Sequence, residues 1–180
     1  LLMQMPLPRS LQAEGAEDSF IRTLSQMQDD LRRDYVTGAY NAVYLNEQYR
    51  PIAERAAMSG TPVGVVMVRV NEYWQLREHE SDSAANCCLN MAAGILQLAV
   101  GPDHDKAVLA RLNDGFFAIV TIGTPAARMA QTVREAMNDS RREFNISLSR
   151  RGSFTVEIAS AEWGETASWD MTLSLAQQRL

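Results

Sequence analysis

Arg111-Leu112-Asn113-Asp114-Gly115-Phe116-Phe117, continued by Ala118, Ile119 and Val120, reads as strand, tight turn and strand. An Asp-Gly pair between apolar runs is a strong local hairpin signal, because glycine takes the positive φ of a tight turn without steric cost. The two strands are expected over 106–112 and 116–121.

Upstream of the hairpin, Gly101, Pro102 and Asp103 end a helix expected over 84–99, with Cys88, Met91, Ala92, Ile95 and Ala99 facing the core. Residues 63–70 are Val-rich and read as a buried strand by length and β-branching. A helix is expected over 41–58. Tyr44, Leu45, Tyr49, Ile52 and Ala56 lie on one side of it, and a kink or break is expected at Pro51. Residues 34–38 read as a turn. Before it, 17–33 reads as a helix whose apolar residues Phe20, Leu24, Met27 and Leu31 are spaced four, three and four apart, a short heptad seam. Such a helix can pack on its own domain or act as a dimerising stalk joined to an upstream module. Residues 1–16, with Pro6, Pro8 and Gly15 and no periodicity, read as a linker.

Downstream, Thr124-Pro125 suits a helix start, with Thr at N-cap and Pro at N1. Met129, Val133, Ala136 and Met137 give that helix an apolar face. Residues 144–149 and 154–160 alternate as strands around Arg150-Arg151-Gly152, and a last helix is expected from about Ala167, carrying Leu173, Leu175 and Ala176. Hairpins clustered among helices predict an α+β fold: a mostly antiparallel sheet of about five strands covered by helices. The division is a linker and stalk helix over 1–33 and one domain over 34–180.

Composition narrows the function. The chain has 180 residues, 46% hydrophobic and 22% charged, with a formal net charge of −5. That balance gives no support for nucleic-acid binding, which normally shows a basic patch. No uninterrupted apolar run approaches the roughly 18 residues of a membrane span, and no signal-peptide pattern is present. The first residue is Leu1, so a longer parent protein is expected. Cys87 and Cys88 are adjacent and point about 100° apart on a helix, poorly placed for a disulfide or a shared metal. A reducing compartment is the plain inference, and a cytoplasmic setting is expected. His79 and His104 belong to no ligand cluster, and no metal or other cofactor is expected. Neither a nucleophile elbow nor a G-x-x-x-x-G-K loop occurs. Trp74, Trp163 and Trp169 read as packing residues, and Arg141-Arg142 with Arg150-Arg151 as solvated surface.

In order and spacing the chain resembles the GGDEF domain, the fold of diguanylate cyclases, from about Asp34 to the C-terminus. Asp34, Thr37, Gly38 and Asn41 match the opening motif D-x-L-T-G-L-x-N-R, whose Arg is Ala42 here. Arg111, Leu112 and Phe117 match the frame of R-[YL]-G-G-[DE]-E-F. The resemblance implies condensation of two GTP molecules into cyclic di-GMP, with divalent metals held by carboxylates that donate hard oxygen ligands.

Position by position, that chemistry is not expected. In the stretch matching D-x-D-x-F-K, Arg69 stands at the metal-binding Asp, followed by Val70, Asn71, Glu72, Tyr73 and Trp74. Gly115 stands at the second carboxylate and Phe116 at the adjacent Glu. Asn113 and Asp114 replace the two glycines that let backbone approach phosphate. Arg77 and Asn86 occupy the guanine-reading positions. Ser174 and Gln177 replace the Tyr and Lys of A-D-x-A-L-Y-x-A-K. His104 and Ala107 fall where the inhibitory R-x-x-D site would lie. Asp114, Glu72 and Glu78 are the neighbouring carboxylates that could compensate. Arg69 can stand in for the metal and pair with a phosphate or with Asp114, or it can simply snorkel or form an ion pair at the strand end.

The reading implied is a catalytically silent GGDEF-like domain, not an enzyme, acting as a regulatory or protein-interaction module in bacterial cyclic di-GMP-type signalling. Its protein partner is not named by the sequence. Two alternatives accompany it. One is a receptor for GTP or cyclic di-GMP using Arg69, Arg77 and Asn86. The other is a dimerising relay of a larger, membrane-bound sensor, with homodimer contact through the N-terminal helix.

Overall fold

A computed structural model describes residues 9–144 and 154–180. Helix α1 (Arg9–Arg32) leads into a short strand β1 (Tyr40–Asn41). Next come α2 (Ala42–Tyr44), a π-helical segment (Leu45–Tyr49) and α3 (Arg50–Met58). Strand β2 (Val63–Val70) is followed by α4 (Tyr73–His79) and α5 (Asp82–Val100). The hairpin β3 (Ala107–Asn113) and β4 (Phe116–Ile122) precedes α6 (Ala126–Phe144). Strand β5 (Val156–Glu162), α7 (Trp163–Thr166) and α8 (Trp169–Gln178) complete the chain.

Among the described residues, five strands form one sheet in the order β1-β3-β4-β2-β5. Only β1 and β3 run parallel; the other neighbours are antiparallel. This is the expected α+β architecture. Alternation along β2 feeds two cores, one on each face. Val66, Val68 and Val70 pack with Leu89, Ala92 and Leu96 of α5 and Val133 of α6. Val63, Val65 and Met67 pack on the other face with Leu45, Tyr49, Ala53 and Trp169. The Val-rich run is buried because both faces of the strand are covered by helices.

Several boundaries differ from the sequence reading. Residues 9–16, read as linker, belong to α1. Gly15 costs a helix only about 1 kcal/mol relative to Ala, which the long helix absorbs. Pro51 breaks nothing, because it sits in the first turn of α3, where the missing N–H is harmless. The distortion lies just before it, in the π segment. Its extra residue rotates the apolar face onward, so Ala53 is buried while Ile52, expected inside, is exposed. Phe144 ends α6 and does not start a strand; the rest of the strand expected over 144–149 and its turn lie outside the described residues. β5 starts two residues later than expected. The last helix starts at Trp169, after Ala167 takes a left-handed φ of 55°. The sequence reading had no counterpart for β1 or α4.

Helix α5 is long and apolar enough to cross a membrane by length and composition, although it carries no uninterrupted apolar run. Ala85, Cys88, Leu89, Ala92, Ala93, Ile95 and Leu96 face the core instead. Burial pushes the Cys88 thiol up to about 12, whereas Cys87 is exposed. A thiol reagent is therefore expected to label Cys87 rapidly in native protein and Cys88 only after denaturation, because the thiolate is the nucleophile. Equal native labelling of both, followed by mass spectrometry, would contradict this packing.

Candidate functional site

The hairpin turn is held from two sides. The Arg111 guanidinium donates to the Asp114 carbonyl through Nε and Nη2, at 3.1 and 3.0 Å. Its Nη1 lies 3.1 Å from Asp34 Oδ1, and both side chains are largely buried, at 13% and 14% exposure. Asp34 in turn accepts from the Thr37 amide at 2.9 Å and the Thr37 hydroxyl at 2.7 Å. Gly38 closes the loop with φ 73°, its amide donating to the Asp34 carbonyl. Asp34, Thr37, Gly38 and Arg111 are thus one structural clamp between the segment after α1 and the turn.

Within the turn, glycine has a different role from the one expected. Asp114 carries the positive φ, 46°, while Gly115 is absent from the left-handed region. Aspartate tolerates that region better than most residues. Gly115 is needed for space: a Cβ there would lie 2.9 Å from the Val70 carbonyl oxygen and 3.0 Å from Tyr73 Cβ. Its own carbonyl accepts from the Val70 amide at 2.8 Å. The turn is packed directly onto the end of β2 and the start of α4. Phe117 is fully buried, and Phe116 is half-buried opposite Arg69.

Arg69 turns toward β5. Its Nη2 pairs with Glu157, its direct cross-strand neighbour, and its Nε donates to Asn71 Oδ1 at 3.3 Å. The carboxylate partner is therefore Glu157, not Asp114. Glu72 is engaged as well, accepting from the Thr155 amide at 2.8 Å and from the Thr155 hydroxyl at 2.5 Å. Asn71 Nδ2 adds a third bond to Thr155. Nothing local in the sequence announces this latch, whose halves lie more than 80 residues apart. Neither position 69 nor position 115 offers a side-chain oxygen, so the residues present do not fit a carboxylate-held divalent metal. Among the described residues no group of three His, Cys, Asp or Glu side chains could hold one.

Arg77 and Asn86 do meet, in a cleft of about 280 Å³ lined also by Tyr35, Tyr73, Asp82, Arg111 and Asp114. Arg69 is not part of its lining. Arg77 is paired with Asp82 at 3.3 Å, lies over the Trp74 ring at 5.3 Å, and donates to the Tyr73 hydroxyl. The neighbouring Tyr73 and Asp82 charges raise its pKa further, so it is a permanent cation.

The sequence model of the family described as diguanylate cyclase, GGDEF domain, matches residues 31–180. The chain belongs to the GGDEF family. Its fold is similar to the coiled coil and GGDEF domain of DgcB from Caulobacter crescentus in complex with c-di-GMP, with a TM-score of 0.78 at 17% identity, covering 94% of this chain and 89% of that one. The FimX GGDEF domain from Pseudomonas aeruginosa gives a TM-score of 0.67 at 21% identity, covering 82% and 90%. Diguanylate cyclase SiaD from Pseudomonas aeruginosa, in complex with its activator SiaC, gives 0.69 at 17% identity, covering 95% of this chain and 65% of that one.

In this GGDEF domain His104, where the resemblance would place the inhibitory motif, stands against an aromatic stack. His104 Nδ1 lies 3.1 Å from the Tyr40 hydroxyl, Tyr40 stacks on Tyr44 at 3.9 Å, and Arg33 caps the stack at 4.2 Å. Tyr49 donates to the His104 carbonyl at 3.0 Å, and its burial raises its phenol pKa far above the ordinary value. Ala107 is buried at the start of β3. The GGDEF frame in this region is kept by packing, with side chains that pair among themselves.

Proposed function

We propose that this GGDEF domain makes no cyclic di-GMP and serves as a regulatory or protein-interaction module in cyclic di-GMP-type signalling. One observation carries the reading: at the two positions where the family places metal carboxylates stand Arg69, paired with Glu157, and Gly115, whose site has no room for a side chain. A cation and a closed turn cannot organise the divalent metals that would stabilise charge on a reacting triphosphate. Glu72, the nearest carboxylate on β2's exit, is taken by Thr155. A protein partner accords with the SiaD neighbour, which is bound to an activator protein. Purified protein incubated with GTP and Mg²⁺ or Mn²⁺ is expected to accumulate no cyclic di-GMP above a buffer control. Product that grows linearly with enzyme concentration would overturn the reading.

A second reading, a nucleotide receptor without turnover, is favoured by the cleft that joins Arg77 and Asn86. An amide presents adjacent donor and acceptor groups to a base edge. The arginines there are already committed, Arg77 to Asp82 and Arg111 to Asp34. Little positive charge is left for phosphates, so this reading ranks second. Calorimetry with GTP, GDP and cyclic di-GMP decides it, and absence of heat and of any thermal shift at millimolar nucleotide removes it.

A further inference from the structure

A second cleft, of about 310 Å³, opens between α5 and the segment that follows α1. Asn90, Ala93, Gly94 and Gln97 form its helical wall, and Arg33 and Gly38 stand opposite. Steps of three, one and three residues put the four helical positions on one face of α5. No lining residue is shared with the cleft that joins Arg77 and Asn86. Arg33 is the one charged residue in this lining. Its guanidinium is fixed from two sides, over the Tyr40 ring at 4.2 Å and by donation from Nη1 to the Gly38 carbonyl at 3.2 Å. Among the described residues no carboxylate lies within ion-pair distance of it, so Nε and Nη2 remain to donate. Gln97 Nε2 donates to the Gly101 carbonyl at 3.1 Å, which leaves its Oε1 as an acceptor. The Asn90 amide offers both a donor and an acceptor.

This lining excludes several ligand classes. Without a carboxylate it gives a cationic ligand no counter-charge, and one arginine is too little for a polyphosphate or a dinucleotide. One carboxylate beside one amide matches it. The guanidinium takes the carboxylate, Gln97 Oε1 accepts the amide N–H, and Asn90 Nδ2 donates to the amide carbonyl. Leu109 and the bare Gly94 leave an apolar floor for a small side chain. The volume lies at the low end for ligand pockets, which limits the fit to the last one or two residues of a chain. We propose that this cleft captures the free C-terminus of a partner polypeptide, with Arg33 holding the terminal carboxylate and Asn90 and Gln97 reading the last peptide bond. The proposal rests on the interaction-module reading and names the chemistry of the partner.

Amide NMR of the full chain tests it, with acetyl-Ala-Ala bearing a free carboxylate, the same dipeptide capped as an amide, and acetate as probes. The assay contains no nucleotide, so its failure leaves the absence of turnover untouched. Saturable shifts are expected at Gly38, at Gly94 and at the side-chain amides of Asn90 and Gln97, with a Kd on the order of 1 mM. The capped dipeptide should bind about tenfold more weakly or worse, as should the free one to Arg33→Gln. A Cβ at Gly94 meets nothing within 4 Å, so Gly94→Phe should keep the thermal midpoint while its ring fills the cleft and abolishes binding. No saturable shift with the free dipeptide at roughly 10 mM overturns the proposal. Equal affinity for the capped dipeptide overturns it, as does binding unchanged in Gly94→Phe. Acetate binding as tightly as the dipeptide reduces the site to an anion spot and overturns it too.

Discussion

Replacing Arg111 with alanine is expected to lower the melting temperature by about 6–12 °C. The substitution removes the cation beside Asp34 and both donors to the Asp114 carbonyl. Breaking a buried ion pair by deleting one partner costs roughly 3–5 kcal/mol, because the other charge stays buried. The pair is 13–14% exposed, which favours the lower end, about 3 kcal/mol. In a chain of this length each kcal/mol shifts the midpoint by about 2–4 °C. Arg111→Lys keeps the charge without the planar fork and should fall between wild type and alanine. A double-mutant cycle with Asp34→Asn should show strong coupling, because the two side chains share one network. A loss below about 1 kcal/mol for Arg111→Ala would mean that the clamp holds the turn no better than a solvent-exposed ion pair does.

The second large effect concerns Gly115. Placing a carboxylate there with Gly115→Asp is expected to destabilise the domain by about 1–3 kcal/mol and to confer no metal binding. The new Cβ meets backbone at 2.9 Å, the Val70 carbonyl, which cannot rotate away. Relief requires the turn to lift off β2, which strains the bond between the Val70 amide and the Gly115 carbonyl. Gly115→Ala is the informative control, since it carries the same Cβ without charge. Equal losses for the two variants in chemical denaturation assign the cost to space. A stable aspartate variant that binds Mn²⁺ by calorimetry would show that the site can open.

Much of this fold is legible because its signals are local. The hairpin announces itself through Asp114-Gly115 between apolar runs, and β2 through its unbroken Val-rich run. The features that escape are those made by distant partners. β1 is two residues long and exists through pairing with β3 and a single bridge from Tyr40 to Arg33. Helix α4 arises in a largely polar stretch where only Tyr73 is buried. The Glu72–Thr155 latch has no periodic signature at all. Gly115 is instructive in another way. Its identity was readable and its reason was not, because close packing against Val70 and Tyr73 leaves the same glycine in the sequence as a left-handed turn would. The π segment is similarly silent: its single extra residue is visible only as the exchange of Ile52 for Ala53 at the buried face.

The cross-strand pair of Arg69 and Glu157 also constrains the mutational paths open to this domain. A carboxylate introduced at position 69 alone would face Glu157 directly, a like-charge opposition worth roughly 0.2–1 kcal/mol against the sheet. A carboxylate introduced at position 115 alone meets the Val70 carbonyl. Each single step toward a metal centre is unfavourable before the other is taken, and the first also asks for a compensating change at Glu157. A variant carrying carboxylates at both positions would need a third substitution, at Glu157, to escape the like-charge opposition, and a shifted turn to make room at position 115.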